Sequence, residues 1–211
     1  KKENFDKEFF YEMEVGFSEE FSLFQLNDHP KPEQMFNELY PFHTGSSEAM
    51  KKHFKNYADW IGKFFGNSPS KLIEIGSNDG TFLKNFKNTN TEFVGFEPSK
   101  NVANRANNDQ IMTVNEFFCL DTINLINNFK KKTDVVCAAN VICHIPDLMG
   151  LITTIEEILN VNGIFIFEEP YLGTMFEKTS YDQIYDEHIY MFSVTAVEKI
   201  FNKFDMNLID V

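Results

Sequence analysis

Lys71-Leu-Ile-Glu-Ile-Gly-Ser-Asn-Asp-Gly-Thr-Phe-Leu83 is the stretch that decides the fold. Its first part, from Leu72 to Ile75, is a short apolar run that is typical of a buried strand. Gly76 and Gly80 then mark a tight turn, and a helical pattern begins behind it. Such a turn leaves the first N–H groups of the helix unpaired, and glycine lets a ligand approach the main chain. The stretch therefore predicts a crevice for a small polar cofactor.

The spacing of this turn narrows the class of cofactor. A dinucleotide fingerprint needs G-x-G-x-x-G and a P-loop needs a lysine after its second glycine, whereas this turn reads G-x-x-x-G followed by Thr81. The next strand, predicted over residues 92–97, ends in Glu97, whose carboxylate can accept both hydroxyls of a ribose. Glu74 is a second acid, and no phosphate-binding lysine is present. The pattern favours a nucleoside without phosphate, and S-adenosylmethionine fits; for the glycines alone, a purely structural turn remains the alternative.

Composition limits the class of protein. The chain has 211 residues, 43% of them hydrophobic, which is enough for one domain with a full core. A formal net charge of −13 without a basic stripe argues against nucleic acid as a partner. Cys119, Cys137 and Cys143 fit neither a disulfide framework nor a zinc site, so we predict no metal. We find no signal peptide and no apolar stretch long enough to span a membrane, so we expect a cytoplasmic protein without membrane association.

Strands and helices alternate after Lys71, which predicts an α/β fold with a doubly wound, mostly parallel sheet. We expect strands near 71–76, 92–97, 111–115, 133–142, 163–168 and 206–211. We expect helices near 80–88, 99–107, 119–130, 147–160 and 194–204. Residues 46–211 are predicted to form this domain, which we expect to be truncated before its last strand.

The preceding segment, residues 1–45, is irregular. Phe9 to Leu26 suggests two short strands or a hairpin, and Glu33 to Leu39 a short helix. A longer helix capped by serine is expected next. Its apolar face is predicted to carry Met50, Phe54, Tyr57, Ile61 and Phe64.

Polar loops follow the later strands, where the carboxyl ends of a doubly wound sheet border the cofactor crevice. Asn140 and His144 follow the fourth strand, and Glu168 and Glu169 follow the fifth. The third such loop is Tyr185-Asp-Glu-His188. These residues predict that an amide, two histidines and several carboxylates face one crevice.

His188 is the candidate general base, because the pKa of histidine lies close to neutral pH. Asp186 or Glu187 could orient it or stabilise its charge, and Tyr185 could donate to a substrate oxygen. A surface histidine in an acidic loop remains the alternative. For His144, which precedes a proline and a helix start, a role in the turn is the stronger alternative.

Five strings together resemble the sugar C-methyltransferases, which methylate carbon 3 of nucleotide-linked 4-keto-deoxysugars. They are Glu74-Ile-Gly-Ser-Asn-Asp-Gly80, Gly95-Phe-Glu-Pro-Ser99, Asn140-Val-Ile-Cys-His-Ile-Pro-Asp147, Phe167-Glu-Glu-Pro-Tyr171, and Tyr185-Asp-Glu-His188 followed by Phe192-Ser193. The match covers nearly the whole chain in the correct order. The resemblance implies a class I methyltransferase fold, Rossmann-like, with S-adenosylmethionine as cofactor and a nucleotide sugar as substrate.

The resemblance also implies roles for individual residues. Gly76, Asn78 and Gly80 would contact the methionine end of the cofactor, Glu97 its ribose, and residues 115–117 its adenine. The full set of expected cofactor-binding residues is Glu74, Gly76, Ser77, Asn78, Gly80, Glu97, Pro98, Asn115, Glu116, Phe117 and Asn140. The expected catalytic residues are His188 as the base, with Tyr185, Glu187 and His144 steadying the substrate and its enolate.

Three features depart from the pattern of that family. Its N-terminal zinc module has paired cysteines, and the matching stretch Phe17-Ser-Glu-Glu-Phe21 has none. Its Tyr-His-Glu-His string has Asp186 in the second position here. Its large C-terminal domain is not found in this sequence. Two alternatives therefore stay open: a cofactor-binding remnant that needs a partner chain, and an O- or N-methyltransferase acting on another small molecule.

Overall fold

The structure is a computed structural model and describes residues 12–211. The strands are β1 (Val15–Ser18), β2 (Leu23–Leu26), β3 (Lys71–Ile75), β4 (Glu92–Phe96), β5 (Thr113–Val114), β6 (Thr133–Ala139), β7 (Leu159–Glu168) and β8 (Tyr190–Met191). The helices are α1 (Pro32–Met35), α2 (Glu48–Phe64), α3 (Lys100–Asn108), α4 (Leu148–Ile158), α5 (Leu172–Lys178) and α6 (Val194–Phe201). No helix among residues 12–211 has both the length and the apolar character needed to cross a membrane.

A five-stranded parallel sheet in the order β5-β4-β3-β6-β7 forms the centre of the protein. Side chains alternate along β3, so Leu72 joins one apolar core and Ile73 and Ile75 join another on the opposite face. Helix α2 covers the first face, while α4 and α6 cover the second. Both faces are thus buried by helices, as predicted for a doubly wound α/β sheet.

The N-terminal hairpin is confirmed where the structure describes it. Strands β1 and β2 pair antiparallel, and β8 pairs with the other edge of β2. The expected start of the hairpin, Phe9 to Tyr11, lies outside the described residues. Leu26 N also donates to Ile189 O at 2.8 Å. This small sheet therefore holds the chain on the C-terminal side of His188.

Two predicted helices are wrong in type. The segments expected at 80–88 and 119–130 contain only 3-10 helices, Leu83–Phe86 and Thr122–Ile126. Asn85 Nδ2 donates to Thr81 O and Phe82 O, two carbonyls that an α-helix would use for its own ladder. The hydroxyl of Thr122 likewise donates to Phe117 O and Cys119 O. Polar side chains that bond to nearby backbone have displaced the regular helices.

Other predicted bounds also need correction. The helix expected from Glu33 to Leu39 is the single turn α1, and the strand expected to reach residue 142 ends at Ala139. The strand expected at 206–211 is not formed, and β7 is the edge of the described parallel sheet. An extended segment becomes a strand only when a neighbour takes its backbone hydrogen bonds. No strand within residues 12–211 pairs with Met206 or the residues after it.

Helix α2 lies over the glycine turn and begins at Ser47, whose hydroxyl accepts from Met50 N as the predicted cap. The buried face of the helix carries Phe54, Tyr57 and Ile61, as expected, whereas Phe64 is 48% exposed. Phe82 follows the turn and packs against Phe54 and Tyr57 at centroid distances of 5.7 and 5.2 Å.

Phe82→Ala should lower the free energy of unfolding by about 3–5 kcal/mol, because it opens a cavity between α2 and the sheet. Urea unfolding followed by circular dichroism measures this change. Phe176→Ala is the matched control, since Phe176 is 77% exposed and its change should stay within about 0.5 kcal/mol. Equal effects of the two substitutions would contradict the packing described for α2.

Candidate active site

The candidate site lies where the parallel strands end. The loops after β3, β4, β6 and β7 meet at the same edge of the sheet, because the carboxyl ends of parallel strands point in one direction. The glycine turn follows β3, Glu97 follows β4, and the loop with His144 follows β6. The sequence therefore placed its main candidate residues on the correct edge.

The turn after β3 has the backbone geometry that its glycines predict. Gly76 and Gly80 have φ angles of 67° and 73°, and Asn78 between them has a φ of 48°. A Cβ atom on Gly76 would lie 2.4 Å from Val141 Cγ2, and one on Gly80 would lie 2.8 Å from Ile111 Cγ2. Glycine is required at both positions because of the positive φ and the close packing.

Glu97 fixes this turn through its carboxylate. Its Oε2 accepts from Asn78 N at 3.0 Å and its Oε1 accepts from Ser99 N at 2.8 Å. The side chain is buried, which raises its pKa, although hydrogen bonds from Ser99 and Asn78 counteract part of that effect. A carboxylate has about four acceptor positions, so each oxygen can still accept a further hydrogen bond from a ligand.

Glu74 is a buried acid with an unused acceptor. Its Oε2 makes no hydrogen bond to any residue in the described part of the chain. Burial raises its pKa well above the ordinary value, and the carboxylates of Glu97 and Asp79 raise it further. The buried hydroxyls of Ser77 and Ser99 are unpaired in the same way. A carboxyl oxygen and hydroxyls without hydrogen-bond partners suit a ligand that carries cationic and hydroxyl groups. S-adenosylmethionine has both kinds of group, so these side chains fit it.

The remaining predicted cofactor residues lie around this turn, with different surroundings. Asn115 Nδ2 donates to Glu97 O and Pro98 O at 2.9 and 2.8 Å, which fixes the loop after β5 against the loop after β4. Glu116 is exposed and Phe117 is half-buried. Asn140, with a φ of 55°, is exposed, and its N–H donates to Glu168 O at 2.7 Å. Nothing in these contacts assigns residues 115–117 to the adenine or Asn140 to the cofactor, so both roles stay predictions.

A strap loop, residues 40–46, closes over the glycine turn, and sequence reasoning treated it only as a connection. Asn78 Oδ1 accepts from Thr44 N at 2.9 Å, and Asn78 Nδ2 donates to Phe42 O at 3.2 Å. The fully buried Asp79 accepts from Gly45 N at 3.0 Å. The sequence did contain a signal for this contact. Asn78 and Asp79 are short polar residues between the two glycines, and such side chains commonly bond to backbone groups.

Tyr40 begins the strap loop and was also missed. Burial raises the pKa of its hydroxyl to about 12, with smaller contributions from the charges of Glu187 and Glu97. The ring of Tyr40 packs against that of Phe36 at a centroid distance of 5.6 Å, and Phe36 in turn packs on His144. The backbone of Tyr40 is fixed by Asn101 Nδ2, which donates to Tyr40 O at 2.8 Å.

His188 is held in one tautomer. Its Nδ1 lies 2.8 Å from Gln183 O, which can only accept, so Nδ1 carries the proton. Its Nε2 is then a lone pair, and it accepts from the Tyr185 hydroxyl at 2.7 Å. The expected orienting groups, Asp186 and Glu187, make no hydrogen bond to this ring; the carbonyl of Gln183 takes that role. The sequence could not predict this contact, because every residue has a backbone carbonyl and nothing marks the one that accepts from His188 Nδ1.

Burial controls the protonation of this pair. His188 is 6% exposed, and burial lowers its pKa, while the Gln183 carbonyl and the charge of Glu187 raise it in part. Burial raises the pKa of Tyr185 to about 12, and the carboxylate of Glu187 adds to this. At neutral pH, His188 is therefore a neutral base and Tyr185 is a protonated donor.

His144 and Glu187 complete the arrangement. His144 Nδ1 donates to Glu187 O at 2.7 Å, and its ring centroid lies 5.0 Å from that of His188. The ring of Phe36 packs on His144 from the N-terminal segment at 5.5 Å. Burial lowers the pKa of His144 and raises that of the Glu187 carboxyl. The structure thus brings together His188, Tyr185, Glu187 and His144, the four residues expected to act in catalysis.

Cys143, His144 and His188 also offer ligand atoms within 4.8 Å of one another. The absence of a metal stays a prediction, since this cluster has suitable donor types. The observed hydrogen bond from Tyr185 uses His188 Nε2, and burial raises the pKa of the Cys143 thiol far above its usual range. In this structure, therefore, one of the three candidate ligand atoms is engaged by Tyr185 and another is a protonated thiol.

The lowered pKa values of both histidines can be measured by NMR. Titration of His144 and His188 should give midpoints below the ordinary value of about 6.5, because burial disfavours the charged rings. A base-dependent reaction should accordingly gain activity as the pH rises through that midpoint and level off above it. The same resonances in urea-unfolded protein should titrate near 6.5. Folded-state midpoints above that value would contradict the burial described here.

Comparison with solved structures supports the fold. PH0226 from Pyrococcus horikoshii matches with a TM-score of 0.60 and 14% identity, covering 77% of this chain and 84% of that one. A SAM-dependent methyltransferase from Archaeoglobus fulgidus matches with a TM-score of 0.59 and 16% identity, covering 74% and 67%. Magnesium protoporphyrin IX methyltransferase from Synechocystis, solved with bound SAH, matches at 0.57 and 12% identity, covering 76% and 74%.

Sequence comparison identifies the family. C-methyltransferase NovU from Streptomyces niveus is 25% identical over 182 residues, which are 86% of this chain and 43% of that protein. The chain thus spans less than half the length of this curated relative. The family model described as "Methyltransferase domain" matches residues 50–211. This chain therefore belongs to the methyltransferase-domain family and has the class I fold whose members use S-adenosylmethionine.

Proposed function

We propose that this chain carries the cofactor-binding and catalytic part of a C-methyltransferase that acts on a nucleotide-linked 4-keto-deoxysugar. The observation that carries the proposal is the hydrogen bond between the buried His188, through its Nε2, and the hydroxyl of the half-buried Tyr185, 2.7 Å apart. Methyl transfer to carbon requires removal of a carbon-bound proton, so it needs a positioned base. The C-methyltransferase name of the Streptomyces niveus relative supports this reaction type, and the five sequence strings support the sugar substrate.

The cofactor would lie on the glycine turn. Glu97 keeps acceptor positions for the ribose hydroxyls, and the unpaired Glu74 Oε2 would face the ammonium of the methionine end. The backbone N–H groups of Ser77, Asn78, Asp79 and Gly80 are already bonded within the protein, so recognition of the cofactor would rest on the carboxylates of Glu97 and Glu74. S-adenosylmethionine supplies an electrophilic methyl group on a sulfonium.

His188 would remove the proton from carbon 3 of the sugar, which is acidic because of the ketone at carbon 4. The proton moves from that carbon to Nε2, and the resulting imidazolium keeps its Nδ1–H bond to Gln183 O. The nearby charge of Glu187, which raises the pKa of His188, would stabilise this imidazolium. The electron pair left on carbon 3 would be the nucleophile for the methyl group, and the sulfur that gives up this methyl group would leave as a neutral thioether.

Tyr185 would change partner during this step. Its hydroxyl donates to Nε2 in the structure, so it must release that atom before the base can act. A phenol with a pKa of about 12 stays protonated at neutral pH and can donate to the ketone oxygen as negative charge develops there. His144, held by Glu187 O, would fix the adjacent side of the substrate.

A cofactor-binding subunit that needs a second chain for turnover is the competing candidate. The chain spans 43% of the length of NovU, so the complete sugar-nucleotide site of this protein is itself a proposal. In both readings residues 46–211 bind the cofactor and residues 1–45 are an auxiliary segment. Turnover by this chain alone distinguishes the two.

His188→Asn should lower the rate of C-methylation by about 10²–10⁴-fold, because its amide can donate to Gln183 O but cannot act as a base. Transfer of labelled methyl to a deoxythymidine diphosphate 4-keto-deoxysugar, with the product located by NMR, measures this. Deuterium exchange at carbon 3 should fall in parallel. His53→Asn is the matched control, since His53 lies on α2 and pairs with Glu168 at the surface.

An unchanged product and rate in His188→Asn would overturn the proposed base. A methyl group found on oxygen or nitrogen would favour the O- or N-methyltransferase alternative. Cofactor binding without turnover, restored by addition of a second chain, would favour the subunit.

Glu97→Gln should weaken S-adenosylhomocysteine binding by about 10-fold or more, because one carboxylate acceptor becomes a donor facing the ribose or a backbone N–H. Calorimetric titration gives the dissociation constant. Glu177→Gln, at an exposed position on α5, should leave it unchanged. Equal affinity of all three proteins would rule out the role given to Glu97.

A further inference from the structure

We propose that Glu169 is a positioning residue, which holds His144 and His188 in their relative places through the turn after β6. Glu169 follows β7 directly and belongs to the string Phe167-Glu-Glu-Pro-Tyr171, for which no function has been assigned above. Its effect on turnover rests on the proposed function. Its effect on the geometry of the histidines does not.

The carboxylate of Glu169 caps a turn that otherwise lacks acceptors. Its Oε1 accepts from Val141 N at 2.8 Å and from Ile142 N at 2.6 Å. These two N–H groups begin the 3-10 helix Ile142–His144, and the first N–H groups of a helix have no partner within it. Asn140, just before them, has a φ of 55°. Consecutive N–H groups beside a left-handed residue form a concave anion site, and here the protein's own carboxylate fills it.

This capped turn reaches both histidines. His144 is the last residue of the 3-10 helix that Glu169 caps. Cys143, in the same helix, accepts from Ile189 N at 2.9 Å through its backbone oxygen. His188 precedes Ile189, so the position of its backbone depends on the same helix. The two rings, 5.0 Å apart, are therefore connected through one short helix and one carboxylate.

The role proposed for Glu169 uses one of its two carboxylate oxygens. Oε1 accepts from the backbone N–H groups, the buried Oε2 has no hydrogen-bond partner among the described residues, and the Cys143 thiol lies beside the carboxylate. The adjacent Glu168 differs: its side chain lies on the other face of the strand end and pairs with His53. Two neighbouring acids thus have separate surroundings, which supplies a matched control.

The test compares Glu169→Gln with Glu169→Met. Glutamine keeps an oxygen that can accept from both N–H groups and loses only the charge, whereas methionine has a similar size and no comparable acceptor. NMR of ¹⁵N-labelled histidine reports the Nδ1–H signals of His144 and His188, which are hydrogen-bonded to Glu187 O and Gln183 O. We expect these signals to persist in wild type, Glu169→Gln and the control Glu168→Ala, and to be lost in Glu169→Met.

The rate of methyl transfer should change in the same variants in which the histidine signals change. We expect the kcat of Glu169→Met to fall by about 10²-fold, the loss that a misplacement of about 1 Å produces, with the affinity for S-adenosylhomocysteine unchanged. Glu169→Gln should stay within a few-fold of wild type. Glu169→Asp, which keeps the charge but is one methylene shorter, serves as the second variant if Glu169→Met does not fold, and should shift both histidine signals.

Retention of wild-type histidine signals in Glu169→Met or in Glu169→Asp would overturn the proposal, whatever the substrate is. Loss of the signals in Glu169→Gln as well would overturn it by showing that the charge, and not the acceptor, is required. Changed histidine signals in a protein without sugar methylation would leave this inference standing and contradict the proposed function alone.

Discussion

The hydrogen bonds of the turn after β3 are the constraint on which the site depends. A left-handed Asn78 between two left-handed glycines directs its N–H at the carboxylate of Glu97 and its side chain at the strap loop. One short segment thus joins the ends of two strands to the loop that covers them. A larger residue at Gly76 or Gly80 would have to adopt a positive φ, and its Cβ would lie less than 3 Å from a neighbouring side chain. The turn therefore has little freedom to relax.

The catalytic candidates rely on a second framework, which the N-terminal hairpin supplies. Strand β8 pairs with β2 directly after the loop that carries His188. Phe36 from the same segment covers His144. Within residues 12–45, β2 and Phe36 therefore pack onto the loops that carry His188 and His144, while the parallel sheet positions the glycine turn. The strap loop, tied to Asn78 and Asp79, lies between the two.

Burial gives the site its chemical character. Among the groups discussed, it raises the pKa of the acids and phenols and lowers that of the histidines, which favours their neutral forms. A neutral imidazole and a protonated phenol can lie in contact here without an isolated buried charge. The charge of Glu187 favours the protonated form of His188 and so opposes part of this effect. Among the described residues, the buried Glu74 Oε2 has no hydrogen-bond partner, and a cationic ligand group would satisfy it.

The sequence by itself determined the alternating α/β order, the strand that leads into Gly76, and the acid at the end of the next strand. These follow from local patterns, because a buried strand, a left-handed glycine and a strand end each have a signature within a few residues. The sequence also indicated four candidate catalytic residues, His188, Tyr185, Glu187 and His144. It did so because they lie in motifs that resemble those of the sugar C-methyltransferases, and no local pattern predicted their arrangement. Only the tertiary structure decided that Gln183 O orients His188. It also decided that the strap loop closes on Asn78 and Asp79. The replacement of two predicted helices, through the side-chain hydrogen bonds of Asn85 and Thr122, was decided in the same way. Those outcomes depend on which backbone groups a side chain meets after the chain has folded, and no spacing in the sequence records that.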